Sequence, residues 1–162
     1  MNLKLVKLDN FLGSEASVYT LKDLGNNKTL FDNFIWENIN SFKSELNDIV
    51  LRLKEIGKHT GAREQFFKTK EGKPGDGVCA LFDIPDSNLR LYCIRYGSTL
   101  IVLGGGGHKP KTVLALQEVP KLEEENKIVK IVSAQILERL KNKEIEYTNN
   151  YMDFEGDLEF YL

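Results

Sequence analysis

The stretch "LRLYCIRYGSTLIVLGGGGHKPKT", residues 89–112, contains two apolar runs, a turn between them, four glycines and a basic cluster. Two apolar runs joined by a tight turn predict an antiparallel pair of strands. Because successive side chains of a strand point to opposite faces, one face of the first strand carries Arg90, Tyr92, Ile94 and Tyr96. An arginine and two tyrosines on one face suit the binding of a phosphate and a base. The alternative is that the tyrosines pack beneath a helix.

The glycine run Gly104–Gly107 does not match a nucleotide-binding loop. A P-loop requires a lysine directly after its last glycine, and here His108 follows. A Rossmann turn requires a helix to begin at once, which Lys109, Pro110 and Lys111 do not favour. Two interpretations remain. The glycines allow backbone to approach a partner closely, with His108 and the lysines as a basic lip, or the lysines simply face water.

Residues 31–56 carry apolar side chains at spacings of three and four, which predicts one long helix or two consecutive helices. Thr29, with Asp32 three residues later, predicts the helix start, and Gly57 predicts its end. Trp36 lies beside the apolar stripe, where we expect it to pack on the core. This segment is therefore the main helical element of the first half of the chain.

The segments around this helix predict strands and one more helix. Residues 3–8 and a run ending near Gly25 have strand patterns, and short apolar runs after residue 61 predict an antiparallel meander. Residues 122–140 have helical periodicity, and the C-terminal tail predicts a strand or hairpin that adds to the sheet. The sequence therefore predicts one α+β domain, with an antiparallel sheet packed against N-terminal helices and a C-terminal helix.

Charge is unevenly distributed along the 162 residues, whose formal net charge is −2. Between Arg52 and Thr112 there are eleven Lys and Arg residues against six Asp and Glu. From Glu144 to the end there are six acids and no base. A basic region is what a phosphate-binding surface needs, although both regions could equally be solvated faces. The acidic tail either covers the basic surface or is an edge strand with protective charges.

Several classes of protein do not fit the sequence. No apolar run approaches the roughly 20 residues that span a bilayer, and lysines interrupt the apolar N-terminus. Cys79 and Cys93 lie in apolar runs, so we expect buried free thiols rather than a disulfide or zinc site. We therefore expect a cytoplasmic protein that uses no metal or other cofactor.

The order of these features, with the helix "NKIVKIVSAQILERL" after the basic cluster, resembles the RelE/HigB toxins of type II toxin–antitoxin systems, in the RelE/ParE superfamily. The resemblance covers about residues 31–143; residues 1–30 would be an added N-terminal hairpin and 144–162 an acidic extension. It implies a RelE-like fold and a toxin of the bacterial stress response. Such toxins are metal-independent mRNA endoribonucleases, commonly active on the ribosome, and a cognate antitoxin, here expected to be of the helix-turn-helix type, neutralises them.

The resemblance also implies roles for individual residues. Arg90 matches the strand arginine that contacts phosphate, and His108, Lys109 and Lys111 take the place of the basic segment after the last strand. Attack of a ribose 2′-hydroxyl on the adjacent phosphate requires a base, an acid and cations. The expected catalytic residues are Arg90, Tyr96, His108 and Lys109, and the expected RNA-binding residues are Arg63, Arg95 and Lys111.

Two other hypotheses remain open at this point. The chain could be a non-catalytic protein of the same fold that binds an antitoxin or a nucleic acid. The run Ala80-Leu81-Phe82, where many members of the family carry Glu-Leu-Arg, is consistent with such a protein. Alternatively, the edge of the sheet could serve only as an oligomerisation surface.

Overall fold

The predicted pair of strands forms the middle of the sheet in the computed structural model, which describes residues 1–81, 87–109 and 119–162. Two helices cover the two faces of this mainly antiparallel sheet, so the α+β class is confirmed. The helices are α1 (Leu30–Glu55) and α2 (Val119–Lys141). The strands are β1 (Asn2–Lys7), β2 (Ser17–Asp23), β3 (Lys28–Thr29), β4 (Phe67–Lys68), β5 (Val78–Leu81), β6 (Leu89–Tyr96), β7 (Leu100–His108), β8 (Ile145–Thr148), β9 (Asp153–Gly156) and β10 (Glu159–Tyr161).

The main sheet joins strands from both ends of the chain to the predicted meander. Its order is β10-β1-β2-β7-β6-β5-β4, with β3 paired to β2, while β8 and β9 form a separate hairpin. The meander β4–β7 is antiparallel and the C-terminal strand β10 adds to the sheet, as the sequence predicts, and the strand that β10 joins is β1. The pair β2–β7 is parallel. A parallel pair needs a long crossover, which α1 and the meander provide.

The two faces of β6 pack against different helices. Tyr92 and Ile94 belong to the apolar cluster formed with α2. Leu91 and Cys93 belong to the second cluster, formed with α1. The predicted alternation along this strand is therefore confirmed. Cys79, which pairs with Cys93 across β5 and β6, is also a buried free thiol, as expected.

Helix α1 begins as predicted but bends in its middle. The Thr29 hydroxyl accepts a hydrogen bond from the Asp32 backbone N–H at 2.9 Å, which caps the first turn. Phe42 has φ −135° and ψ 37°, so α1 is one helix with a kink. The kink changes which side of the first half faces the core, and Asn38 is buried. The expectation for Trp36 is wrong, because this side chain is 79% exposed.

The predicted helix end at Gly57 is also wrong. The helical segment continues beyond α1 through a π-helical turn, Ile56–Thr60. It ends at Gly61, which has φ 73°. Glycine tolerates this left-handed conformation at no steric cost. At Gly57 the constraint is space, because an added Cβ would lie 2.0 Å from the carbonyl oxygen of Phe11. Gly57 is thus a close-packing position, which the sequence pattern alone does not distinguish from a helix stop.

The glycine run contains a β-bulge. Leu91 pairs with Gly106 and Cys93 pairs with Leu103, so the single residue Tyr92 on β6 lies opposite two residues of β7. This two-to-one count defines a bulge, which increases the local twist of a strand. The bulge turns two consecutive residues of β7 toward the same helix.

Those two residues, Gly104 and Gly105, lie directly beneath α2. An added Cβ would lie 2.4 Å from Val129 Cγ2 at the first position and 2.1 Å from Glu125 Oε2 at the second. A side chain at Gly104 would press on the short Val129 side chain and so on α2, and one at Gly105 would displace the Glu125 carboxylate. The glycines therefore do allow a close approach, and the approaching group is the protein's own helix.

The glycines should differ sharply in their tolerance of alanine. At Gly106 a Cβ would lie 1.9 Å from the backbone oxygen of Arg90, which cannot move without disturbing β6. We expect Gly106→Ala to lower the free energy of unfolding by about 2 kcal/mol. At Gly107 the nearest atom is Lys121 Cγ at 3.3 Å, on a flexible side chain. Gly107→Ala should stay within about 0.5 kcal/mol of the wild type. Urea unfolding of both variants measures the difference, and equal losses would contradict the packing described above.

Candidate functional site

Three of the predicted site residues meet at one end of the β6–β7 hairpin. His108 pairs with Leu89, and Gly107 pairs with Arg90. Lys109 follows directly, and its backbone N–H donates to the carbonyl oxygen of Asn88 at 2.7 Å. Arg90, His108 and Lys109 therefore occupy adjoining positions where β6 begins and β7 ends. We call this region the His108 end.

The kink in α1 lies against the His108 end. The rings of Phe42 and His108 have centroids 5.1 Å apart at an interplanar angle of 37°. One turn further, the Glu45 carboxylate accepts hydrogen bonds from the backbone N–H groups of Asn88 and Leu89, at 2.9 and 2.8 Å. It also accepts one from the Asn88 side-chain amide at 3.2 Å. Helix α1 thus fixes both the first residues of β6 and the imidazole at the end of β7.

A cleft of about 350 Å³ opens between the kinked part of α1 and the start of β6. Phe42 and Ser87 both line it. Phe42 contacts the His108 ring, and the Ser87 hydroxyl accepts a 2.9 Å hydrogen bond from the Lys109 ammonium. The imidazole and the ammonium therefore lie beside the cleft. Its size falls at the lower end of the range for small-ligand sites.

Arg90 lies on the opposite face of the hairpin, toward α2. Its guanidinium Nε is shielded from solvent and has no hydrogen-bond partner among the described residues. Burial raises the pKa of the adjacent Tyr92, although the hydrogen bond and charge of Arg90 act in the opposite direction. A buried donor without a partner is energetically costly. The half-buried Arg90 is therefore a candidate for contact with a ligand oxygen.

Three charged side chains form an ion-pair network beside the His108 end. The Lys121 ammonium lies 2.7 Å from Glu125 Oε1 and 3.3 Å from Glu37 Oε2. Partial burial lowers the pKa of Lys121, but its hydrogen bond to Glu125 and the nearby carboxylates outweigh this and raise it overall. Lys121 links α2 to α1, and its charge is used within the protein. No pattern in the sequence singled out Glu45 or the link from Lys121 to Glu37, because these partners are distant in the chain.

Tyr96 lies at the other end of the hairpin, where β6 finishes opposite Leu100. It is six residues from Arg90, about 20 Å along a strand. Its ring packs edge-to-face on Phe154, with centroids 5.0 Å apart, and its hydroxyl is buried without a partner among the described residues. Burial raises its pKa well above 10, with a further contribution from Tyr147. The structure thus places Tyr96 beneath the β8–β9 hairpin and does not bring it to the His108 end.

The predicted RNA-binding arginines are also distant from the His108 end. Arg95 is on β6 beside Tyr96, and its Nε donates to the carbonyl oxygen of Ala62 at 2.7 Å. Arg63, which is exposed, follows Ala62 directly. These two arginines therefore lie near each other, apart from Arg90. Lys111, the third predicted RNA-binding residue, is outside the described residues.

Comparison with protein-family models, with curated proteins and with solved structures gives no match. Across 1–81, 87–109 and 119–162, no three His, Cys, Asp or Glu side chains are grouped to hold a metal ion. Neither helix of this described part is long and apolar enough to cross a membrane. The functional argument therefore rests on the arrangement of the residues themselves.

Tyr96 should make the protein sensitive to alkaline pH. A raised phenol pKa means that the folded state keeps its proton above about pH 10, where the unfolded chain has lost it. The folded state then binds more protons, so the free energy of unfolding falls as pH rises. Tyr96→Phe removes the contribution of Tyr96 to this loss together with an unpaired buried hydroxyl, so at pH 8 the variant should be equal to or more stable than the wild type.

The measurement is urea unfolding at about pH 8 and pH 11. Tyr161→Phe is the matched control, because Tyr161 is exposed and should behave as the wild type does. A Tyr96→Phe variant that loses as much stability as the wild type between the two pH values would show that this phenol does not control the response.

The Glu45 bonds should matter for stability as well as for the site. Glu45→Ala leaves the N–H groups of Asn88 and Leu89 without their acceptor. We expect the free energy of unfolding to fall by about 2 kcal/mol. Asp48→Ala is the control, because this carboxylate is exposed on the same helix. Unfolding in urea measures both, and an equal effect of the two substitutions would contradict the role assigned to Glu45.

Proposed function

We propose that this protein is a RelE/HigB-like toxin, a metal-independent endoribonuclease that cleaves mRNA at the His108 end and is neutralised by a cognate antitoxin. The order of elements supports this proposal. An arginine-bearing strand, β6, is followed by an apolar strand, β7, then by His108 and Lys109, and finally by a helix, α2. This is the order on which the resemblance to the toxins was based.

The observation that carries the proposal is the register of β6 and β7. Arg90 and His108 are far apart in sequence, yet Arg90 pairs with Gly107 and His108 pairs with Leu89. A guanidinium, an imidazole and the Lys109 ammonium therefore lie at the same end of a rigid hairpin, with Arg90 on the face toward α2 and His108 on the face toward α1. Side chains on strands of a scaffold are held more precisely than those on loops, which is what catalysis of a single step on RNA needs.

The chemistry requires a base, an acid and stabilisation of charge. The ribose 2′-oxygen attacks the adjacent phosphorus and loses its proton, while the bond from phosphorus to the 5′-oxygen breaks and that oxygen takes up a proton. The products are a 2′,3′-cyclic phosphate and a 5′-hydroxyl end. His108 would transfer these protons, because imidazole is the side chain that enzymes use most often as a general acid or base. Arg90 and Lys109 would stabilise the negative charge of the pentavalent phosphorane.

The residues around His108 would place its imidazole next to the phosphate of a bound RNA. Its ring rests on Phe42 at the edge of the cleft, so a substrate phosphate held by Lys109 would lie next to the imidazole. Phe42 packs against the imidazole ring, and Glu45 holds the strand that pairs with His108. Preorganised groups of this kind lower the cost of reaching the transition state.

A second candidate is a protein of the same kind that binds RNA or an antitoxin without cleaving. The placement of Tyr96 favours it, because the phenol lies about 20 Å from Arg90 by strand geometry and is buried under Phe154. His108 and Tyr96 are the residues expected to transfer protons. In the described structure, only His108 lies at the end of the hairpin that carries Arg90 and Lys109. Binding would then depend on the cations, and its strength would fall steeply with added salt.

The experiment combines growth with RNA cleavage. Expression of the wild type without a partner should arrest growth and shorten transcripts, and purified protein with ribosomes should cleave mRNA. Arg90→Ala and His108→Ala should each lower the cleavage rate by about a hundredfold or more. His59→Ala is the matched control, since His59 is exposed and pairs with Glu55 at the C-terminal end of α1.

The same variants separate the two candidates. Loss of cleavage with retained RNA binding supports the enzyme, while binding without cleavage in the wild type supports the second candidate. Normal growth and intact mRNA, together with no RNA affinity at low ionic strength, would exclude both. A His59→Ala variant as inactive as His108→Ala would show that the effect is one of folding.

A further inference from the structure

A second cavity lies at the end of the β6–β7 hairpin that is distant from His108. It has a volume of about 330 Å³ and is closed on one side by the glycine-containing loop of residues 72–77. Neither the sequence nor the proposed function assigns it a role. The side chains that define its chemistry are Glu64, Thr69, Lys73, Arg95, Tyr96 and Leu137.

The loop that closes the cavity has a defined structure. Gly75 and Gly77 have φ values of 85° and 76°, which favour glycine. The two oxygens of the Asp76 carboxylate accept hydrogen bonds from the backbone N–H groups of Lys73 and Val78, at 2.8 and 2.9 Å. The carbonyl oxygen of Asp76 accepts a 2.6 Å hydrogen bond from the Ser133 hydroxyl, and this bond attaches the loop to α2. The carboxylate of Asp76 is therefore used to hold the loop.

Two cations of the lining have no such internal use. Arg95 lines the cavity and is anchored by its Nε, which donates to the carbonyl oxygen of Ala62, and this leaves its two terminal nitrogens for other contacts. Within the described residues, neither those nitrogens nor the Lys73 ammonium has a hydrogen bond or an ion pair. The Glu64 carboxylate is the acid that remains beside them. An anchored guanidinium with open terminal nitrogens is prepared to bind an oxyanion.

We propose that this cavity binds a small phosphomonoester, with Arg95 and Lys73 sharing the phosphate oxygens. A phosphomonoester offers three acceptor oxygens and nearly two negative charges near neutral pH, so it can engage both cations at once and outweigh Glu64. A carboxylate has two oxygens, which a single arginine fork already satisfies. The apolar side chains of Val78 and Leu137 line the rest of the space and would face the organic part of the ligand.

The phosphate could belong to a free metabolite or to the 5′ end of an RNA strand. Arg95 is five residues from Arg90 on β6, about 17 Å along the strand, so one phosphate cannot contact both. The RNA source rests on the proposed function, whereas the cavity and its cations do not. The two sources share the same chemistry at Arg95 and Lys73.

The test is a titration of the isotopically labelled protein with uridine 5′-monophosphate and with inorganic phosphate, followed by NMR. Amide signals of Gly75, Gly77 and Arg95 should shift as the site fills. Lys73→Ala and Arg95→Gln should each weaken binding of the mononucleotide about tenfold, as expected for one charge-assisted contact. Lys70→Ala is the matched control, because Lys70 is exposed on the same segment and does not line the cavity.

His108→Ala keeps this result independent of the proposed function, because it should abolish cleavage and leave mononucleotide binding unchanged. A short RNA with a 5′-phosphate that binds more tightly than the same RNA with a 5′-hydroxyl identifies an RNA end as the source. Mononucleotide binding without that difference identifies a free metabolite. No shift of these signals at about 10 mM of either compound, or equal affinity in Lys73→Ala and the wild type, would overturn the proposal.

Discussion

The contact between α2 and the bulged glycines of β7 is the constraint on which the rest of the structure depends. Val129 and Glu125 occupy the space that side chains at Gly104 and Gly105 would need. Strand β7 lies between β2 and β6 in the sheet and between the two helices in depth, so its position controls both apolar clusters. Close approach at this point lets α2 cover the sheet without a gap, in keeping with the dense packing of protein interiors. The bulge also determines which residues at the end of β7 lie beside β6.

A consequence of this geometry is that the cations of the hairpin fall into two groups. His108 and Lys109 lie where the kinked α1 touches the sheet, and Arg90 lies at the same end of the hairpin on the face toward α2. Arg95 lies at the opposite end, anchored to Ala62. A strand of eight residues is long enough to keep two phosphate groups apart. The hairpin therefore presents an imidazole at one end and a cavity lined by Arg95 and Lys73 at the other, which is why the two proposals can be tested separately.

Much of this arrangement could be predicted from local pattern, and its limits have physical causes. The cap at Thr29, the alternation along β6 and the buried cysteines depend on near neighbours or on strand periodicity, so the sequence reveals them. The expectations for Trp36 and Gly57 are wrong because the local sequence pattern shows neither the kink at Phe42 nor the close approach of Phe11. The same holds for Glu45, whose partners at Asn88 and Leu89 lie more than forty residues away. Strand parity placed Tyr96 on the correct face, but length along the strand separated it from Arg90.

The most direct test of the central claim, that RNA is bound at the His108 end, is photo-crosslinking with an RNA that cannot be cleaved. A single strand carrying 2′-O-methyl groups and 4-thiouridine would be bound at low salt, irradiated, and the attached peptides identified by mass spectrometry. The account predicts crosslinks within residues 87–92 and 103–109, with fewer when Arg90 is replaced by alanine. Crosslinks confined to other parts of the chain, or an unchanged pattern in Arg90→Ala, would contradict it.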